Sequence, residues 1–309
     1  MSRPGGALLG QLVVSLVLLA LLVRKVPLHE VAAAVGRLRA GTLVACVALS
    51  MIGYWGRARR WSILLERVGV RIPAVTSYRL TLVGTFYGIV TPGRVGELAR
   101  VLHVSAPRTA TLSAAIWDRV ADVLILEALC LPAFVLVPAW RGPLLLAYLA
   151  LVAVTLAGIV LLASPAALSL ATRMVPALSG PLGRWGASSD QLLRSGVGAR
   201  SFGWGGFFYV FMYVIGWLLL RDLAPRAPAL LLAGLPVIPL LGNLPVALGG
   251  LGLREQVSAA VFTQFGASGA TGAVFSLSLF TTITLLPGLL GFVASLAGAR
   301  RGTPATGHP

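Results

Sequence analysis

The sequence predicts an all-α polytopic membrane protein with about six full spans and two re-entrant broken-helix segments. Three observations carry this reading. The 309 residues are 57% hydrophobic and only 11% charged, with a mean hydropathy of +0.90. Soluble domains are nearer about 45–50% apolar and about 25% charged. Several apolar runs approach the roughly 20 residues that cross a bilayer core. Arginines cluster at the ends of those runs, as the positive-inside rule expects.

The formal charge is +16. On a soluble chain that excess would point to nucleic acid. Here it flanks membrane spans, so no nucleic-acid partner is expected.

Gly6–Val23 reads as a retained first span, because Arg24–Lys25 follows it where a signal peptide would carry a small-residue cleavage site. Val31–Leu38 reads as an interfacial helix. Thr42–Trp55 is the second span. Arg57–Arg79 then holds six arginines against Glu66 and reads as a cytoplasmic linker, with Arg60 and Trp61 as a headgroup anchor. Leu80–Thr91 is apolar but short, and runs into "TPGRVGELAR". Leu112–Val137 and Leu144–Ala163 are full spans. A second basic linker, Ser164–Ser201, leads to the span Phe202–Leu220. Ala229–Leu248 is again short and runs into "GNLPVALGGLGLREQ". Gly272–Leu296 closes the set, before a polar tail. Both basic linkers and both termini are placed in the cytoplasm, with the chain in the cell inner membrane.

"GRVGELAR" (Gly93–Arg100) and "GGLGLREQ" (Gly249–Gln256) share Gly-x-(Val/Leu)-Gly followed by Glu and Arg. With opposite flanking topology they suggest an inverted repeat, residues 1–140 against 141–300, with 301–309 as the tail. Transporters built this way place their sites at discontinuous helices near the midplane. Non-helical backbone at bilayer depth must be buried in protein or line a wet cavity. Pro92, Gly93 and Gly96, and Pro245, Gly249, Gly250 and Gly252, are the expected breaks. A helix restarting after each break offers unpaired N–H groups and the positive end of its dipole. Arg94, Arg100 and Arg254 add cationic donors suited to phosphate. Glu97, Asn243 and Glu255 stand beside them. The competing reading is that these glycines only let helices pack closely.

"WDRVADVLILE" (Trp117–Glu127) places Asp118, Arg119 and Asp122 at i, i+1 and i+4 inside a span. Ionisable groups at that depth are costly and are functional candidates, unless they lie at the headgroup level. Cys46 and Cys130 read as buried thiols, and the scattered histidines His29, His103 and His308 form no metal constellation. No metal or cofactor is expected.

These motifs resemble the transmembrane-region family of lysylphosphatidylglycerol synthases, also described as flippase-like. The shared features are Arg60–Trp61, the Pro92–Arg100 run, the Asp118–Asp122 helix and Leu244–Glu255. Asp118 and Gly88 depart from the family pattern, where Glu and Asn are usual. The resemblance implies lipid translocation without enzymatic activity, in a stand-alone member lacking the soluble synthase domain. The cargo class is an anionic phospholipid or a polyprenyl-phosphate lipid. The alternative is a non-catalytic subunit or scaffold for a separately encoded lipid-modifying or glycosyl-transferring enzyme. A membrane-embedded transferase is disfavoured because no P-loop or acidic metal cluster occurs. Oligomeric state is left open.

The charge distribution generates a topology test. In a background free of Cys46 and Cys130, single cysteines near Arg184 and in the C-terminal tail are expected to resist an impermeant thiol reagent in intact cells. One near Ala227 is expected to react. Labelling near Arg184 from outside overturns the layout.

Overall fold

The computed structural model describes residues 16–17, 20–21, 27–175, 179–194, 197–244 and 250–299. Most of the expected first span, Pro245, Gly249 and the tail lie outside these residues. Among the described residues every regular element is helical and no strand occurs. In chain order the helices are α1 (Leu28–Val35), α2 (Ala40–Arg67), α3 (Ala74–Val90), α4 (Arg108–Leu136), α5 (Pro143–Ala163), α6 (Pro165–Met174), α7 (Ser179–Arg194), α8 (Val197–Leu223), α9 (Val237–Gly242), α10 (Leu253–Gln264), α11 (Gly269–Phe280) and α12 (Leu286–Ala299). Tight 3₁₀ turns form Pro92–His103 and Ala229–Gly234, and a π-helical turn, Thr281–Leu285, joins α11 to α12.

Leu144–Ala163, Ala199–Leu223 and Gly269–Leu296 are each long and apolar enough to cross a membrane. The pair α1 and α2, bent by 77°, makes a fourth if counted as one span. Helix α4 has 29 residues, roughly 43 Å at 1.5 Å per residue, but carries Asp118, Arg119, Asp122 and Glu127 along its length.

The second span extends well beyond Trp55. Helix α2 runs unbroken to Arg67, because no proline or paired glycine stops it. The expected linker Arg57–Arg79 is therefore three further turns of α2, a short connection and the start of α3. The second basic linker likewise holds α6 and α7.

Close approach between helices rests on small residues. A Cβ on Gly272 would come within 2.6 Å of the Ser258 carbonyl oxygen, so α11 lies tight on α10. A Cβ on Gly291 would run into the Leu82 backbone, joining α12 to α3. Pro287 supplies no N–H to the Ile283 carbonyl one turn earlier. The π turn and this proline free carbonyls that α2 takes up: Tyr54 donates to Ile283 O at 2.9 Å and Ser50 to Thr282 O at 2.8 Å.

Two helical hairpins enter the bundle from opposite ends. The first is α3 returning as Pro92–His103, packed against α3 itself. It opens at the end where Ser77 donates to Ala58 O and where Trp185 of α7 donates to Leu162 O at the foot of α5. The second is Ala229–Gly242 returning as α10. It opens at the other end, where Trp140, between α4 and α5, hydrogen-bonds Gln264 and lies against Gly234. Arg37 donates to Leu223 O at 3.1 Å at this end as well. The hairpin tips meet inside, where Arg94 Nη1 donates to Asn243 Oδ1 at 3.3 Å.

The close α10–α11 contact generates a stability test. Gly272→Val is expected to cost about 1–3 kcal/mol, the usual range for overpacking. A lowered thermal midpoint in detergent reads it. Gly203→Ala, where a Cβ meets nothing within 4 Å, is expected to leave the midpoint unchanged.

Candidate functional site

Burying a charge is costly unless it is paired and hydrogen-bonded. The helices nevertheless bury a large ionic network. Asp118 Oδ1 accepts from Arg60 Nε at 2.5 Å and its Oδ2 from Arg100 Nη2 at 2.5 Å. Asp122 pairs with Arg57 at 2.6 Å, Arg60 at 2.7 Å and Arg119 at 3.4 Å. Glu97 pairs with Arg94 at 2.7 Å, Arg119 at 2.8 Å and Arg57 at 3.1 Å. Aromatic faces cover the guanidiniums: Arg57 lies over Phe208 at 5.2 Å and Arg100 over Trp61 at 4.4 Å. Five guanidiniums share three carboxylates, so the network carries two positive charges in excess.

The network runs from one end of the bundle towards its middle. Arg60 lies beside Gly205, near the start of the Ala199–Leu223 span, where a Cβ would stand 2.7 Å from Arg60 Nη1. At the inner end, Arg94 lines a cavity of about 60 Å³ with Met212, Asn243, Arg254, Phe280 and Ile283. Met212 and Ile283 lie near the centres of their spans. By size the cavity admits a few waters.

Arg254 is the second cation of this cavity. Its guanidinium stacks on Phe280 at 3.8 Å and stands 3.8 Å from Glu255 Oε1, beyond hydrogen-bond reach. Arg254 is 8% exposed, and its Nε and Nη2 have no hydrogen-bond partner among the described residues. Arg94 Nε is likewise unpartnered. Arg94 holds φ 57°, a left-handed conformation that costs a non-glycine residue about 1–3 kcal/mol. One buried and one half-buried cation with unused donors around one small space favour an anion there.

The helix restarts contribute less than the sequence led us to expect. Glu255 Oε2 accepts from Gly252 N at 2.6 Å, so α10 caps its own N-terminus and sets a carboxylate at its positive end. Thr91 Oγ1 accepts from Gly96 N at 2.7 Å, and the chain from Pro92 onward forms a 3₁₀ run rather than a fresh α-helix. The anion preference rests on side chains. The glycines serve packing: a Cβ on Gly96 would strike the Tyr87 carbonyl and Thr91, and one on Gly242 would strike Arg254. Gly250 and Gly252 hold φ +74° and +84°, which glycine adopts without strain. Gly88 leaves room for Glu97, whose Cγ would lie 2.7 Å from a Cβ there.

One sequence expectation needs correction. Arg60 and Trp61 are both 0% exposed, so neither can anchor to a headgroup; Arg60 belongs to the network. Asp118 is buried against Arg60 and Arg100, while Arg119 is 19% exposed. Sequence reasoning missed Arg57 as a network member. It lies three residues before Arg60 on α2, and the signal was the absence of a helix stop between Trp55 and Arg67. Among the described residues no group of His, Cys, Asp and Glu could hold a metal ion.

The family profile described as lysylphosphatidylglycerol synthase TM region matches residues 8–291. The chain belongs to this family of membrane domains. No curated protein matches it significantly.

The network generates a graded stability test. Asp118→Asn leaves Arg100 buried without its carboxylate partner and Arg60 with Asp122 alone, and is expected to cost about 3–5 kcal/mol. Arg119→Gln is expected to cost clearly less, because that side chain is 19% exposed. Folded yield and thermal midpoint in detergent measure both.

Proposed function

We propose that the chain moves a phosphate-bearing lipid between membrane leaflets and catalyses no covalent change. The cargo is an anionic phospholipid or a polyprenyl-phosphate lipid. The observation that carries this reading is the shared cavity: Arg94 from the first broken segment and Arg254 from the second both face it with unpartnered N–H groups. A phosphate oxygen satisfies such donors, and guanidinium is the side chain best shaped for it. Family membership supports the lipid part of the reading.

We read residues 1–140 and 141–300 as an inverted repeat, with termini in the cytoplasm of the inner membrane. The support is the pair of hairpins that open at opposite ends and touch at Arg94 and Asn243. Alternating access then comes from one half rocking against the other around the arginine pair. The small cavity fits a closed state, in which the arginines are held but no headgroup fits. Pro287 and the π turn that contains Ile283 and Thr284 give the junction of α11 and α12 a local departure from α-helix at the cavity wall. Such turns recur at functional sites.

Proteoliposomes carrying a fluorescent phosphatidylglycerol test the reading. Wild-type protein is expected to move the lipid between leaflets. Arg254→Gln is expected to slow this at least tenfold, while folded yield changes little, since Arg254 makes no close ion pair. Wild-type inactivity towards a panel of phosphate-bearing lipids overturns the transport reading and favours a scaffold for a separately encoded enzyme.

A further inference from the structure

Helix α5 stands apart from the rest of the bundle. Only 6% of its most apolar stretch is buried, and its contacts with the body run mainly along α4, α6 and α7. Between α5 and α4 lie two apolar spaces. One, of about 360 Å³, is a groove between α4, α5 and the Pro92–His103 segment. Val95, Val120, Val123, Val154, Gly158 and Ile159 line it, and Arg94 and Arg119 reach into it. The other, of about 510 Å³, lies further along the same cleft among Phe134, Trp140, Leu151, Val154, Leu240 and Val261.

Hydrogen bonds from α5 to Glu127 stand where the two spaces meet. Thr155 Oγ1 donates to Glu127 Oε1 at 2.7 Å, and Tyr148 donates to the Glu127 carbonyl at 2.7 Å. Glu127 is 3% exposed, and its Oε2 has no hydrogen-bond partner among the described residues. Val154, next to Thr155, lines both spaces. The proposed transport site makes no use of Glu127.

The geometry points to a lipid-chain site in the α4–α5 cleft, with the lipid phosphate at Arg94 and Arg119 and the Glu127–Thr155 hydrogen bond as the floor beneath its hydrocarbon chain. Three features commit the cleft to a lipid. Its walls are apolar along the whole groove, while its head carries two cations. Those two are partly exposed members, 17% and 19%, of a network that is otherwise buried and carries excess positive charge. The depth also fits. From Arg119 to Glu127 is eight residues of α4, roughly 12 Å. One leaflet of a roughly 30 Å hydrocarbon core is roughly 15 Å deep. The groove's other wall is at the right level: Leu162, which lines it, is the penultimate residue of the α5 span. Arg94 lines both this groove and the central cavity, so a phosphate held at the groove lies beside the proposed transport site. The inference rests on reading the chain as a handler of phosphate-bearing lipids. It adds where the hydrocarbon chain lies and what stops it.

Gly158 allows a clean test, since it lines the groove and a Cβ there meets nothing within 4 Å, so a larger side chain projects into the groove's space. The probe is phosphatidylglycerol with a photoactivatable diazirine on one acyl chain, in vesicles holding the full-length protein. Cross-links are expected at Val120, Val123, Val154 and Ile159, mapped by peptide mass spectrometry. Gly158→Phe is expected to reduce them at least tenfold. Leu146→Trp, on the outer face of α5 at 70% exposure, is expected to leave them unchanged. A diacylglycerol with the same reactive chain, lacking the phosphate, is expected to label at least tenfold less. Thr155→Val is expected to extend labelling past the floor to Phe134 and Leu151. Labelling spread evenly over the outer face of α5, labelling unchanged by Gly158→Phe, or equal labelling by diacylglycerol overturns the site. Labelling that does not extend in Thr155→Val overturns the floor. Cross-links as expected together with no lipid movement in proteoliposomes uphold the cleft and defeat the transport reading.

Discussion

The rest of the structure depends on the buried pairing of Asp118 with Arg60 and Arg100. Each partner comes from a different element: α4, α2 and the Pro92–His103 return. Removing ions from water costs several kcal/mol each, and only close, hydrogen-bonded counter-charges offset that. The pairing therefore holds three elements in one register. It explains why α2 continues past the apolar stretch that ends at Trp55: its last turns must carry Arg57 and Arg60 to α4. It also explains the glycines around it. Gly205 makes room for Arg60, and Gly88 for Glu97. Buried ion pairs are weak evidence of net stability against an apolar alternative. The excess of two positive charges is harder to assign to stability, and it favours an anion that the described residues do not supply.

Much of this was legible in the sequence. The Gly-x-(Val/Leu)-Gly repeats marked both hairpin returns, and their tips do touch. Asp118 and Asp122, four apart, had to share a face of a helix, and both point into the network. The family resemblance agrees with the profile match over residues 8–291. Long-range partnership could not be read. Nothing local tells that Arg57 meets Glu97 across 40 residues or that Thr155 meets Glu127 across 28. The Arg57–Trp61 run has the composition of an interfacial anchor, and only the tertiary fold distinguishes that from a buried clamp. The capping roles of Thr91 and Glu255 were open to inspection in part: a glutamate three residues after a helix start is a known cap, and its charge at Glu255 weakens the case for a bare helix terminus. Close packing and polar contact coexist at Gly96, because the space it leaves is filled by the Tyr87 carbonyl and Thr91; Gly242, which the sequence did not single out, leaves the space that Arg254 fills.

Helix α5 obeys a different logic from the rest. It carries no charge and leaves most of its surface to lipid, so hydrophobic burial against the protein contributes little to its position. A lipid tail is as apolar as leucine, and helix association in a bilayer depends on packing and interhelical hydrogen bonds. Along α4 those bonds are the two to Glu127, from Thr155 and Tyr148, and each is a modest contribution, on the order of 1 kcal/mol. At its foot the Leu162 carbonyl accepts from Trp185 of α7. The helix is thus tied at its middle and foot by few bonds, beside two apolar spaces.

This contrast places rigidity and compliance on opposite sides of one arginine. Behind Arg94 stands the charged network, where every displacement separates paired ions at low dielectric and costs heavily. In front of it lies a cleft closed by a few hydrogen bonds and dispersion contacts. Arg94 itself is held at a left-handed φ, paired to Glu97 and bonded to Asn243 across the hairpin tips. A backbone strained in this way persists only where its surroundings over-determine it, and here three do: Thr91 within the turn, Glu97 behind and Asn243 ahead. A cation so fixed, with one nitrogen unused, presents the same charge to the groove and to the cavity. In the proposed transport an anion passing between the two spaces would not need to leave it, and the strain at one residue would keep a charged headgroup partnered while its surroundings change.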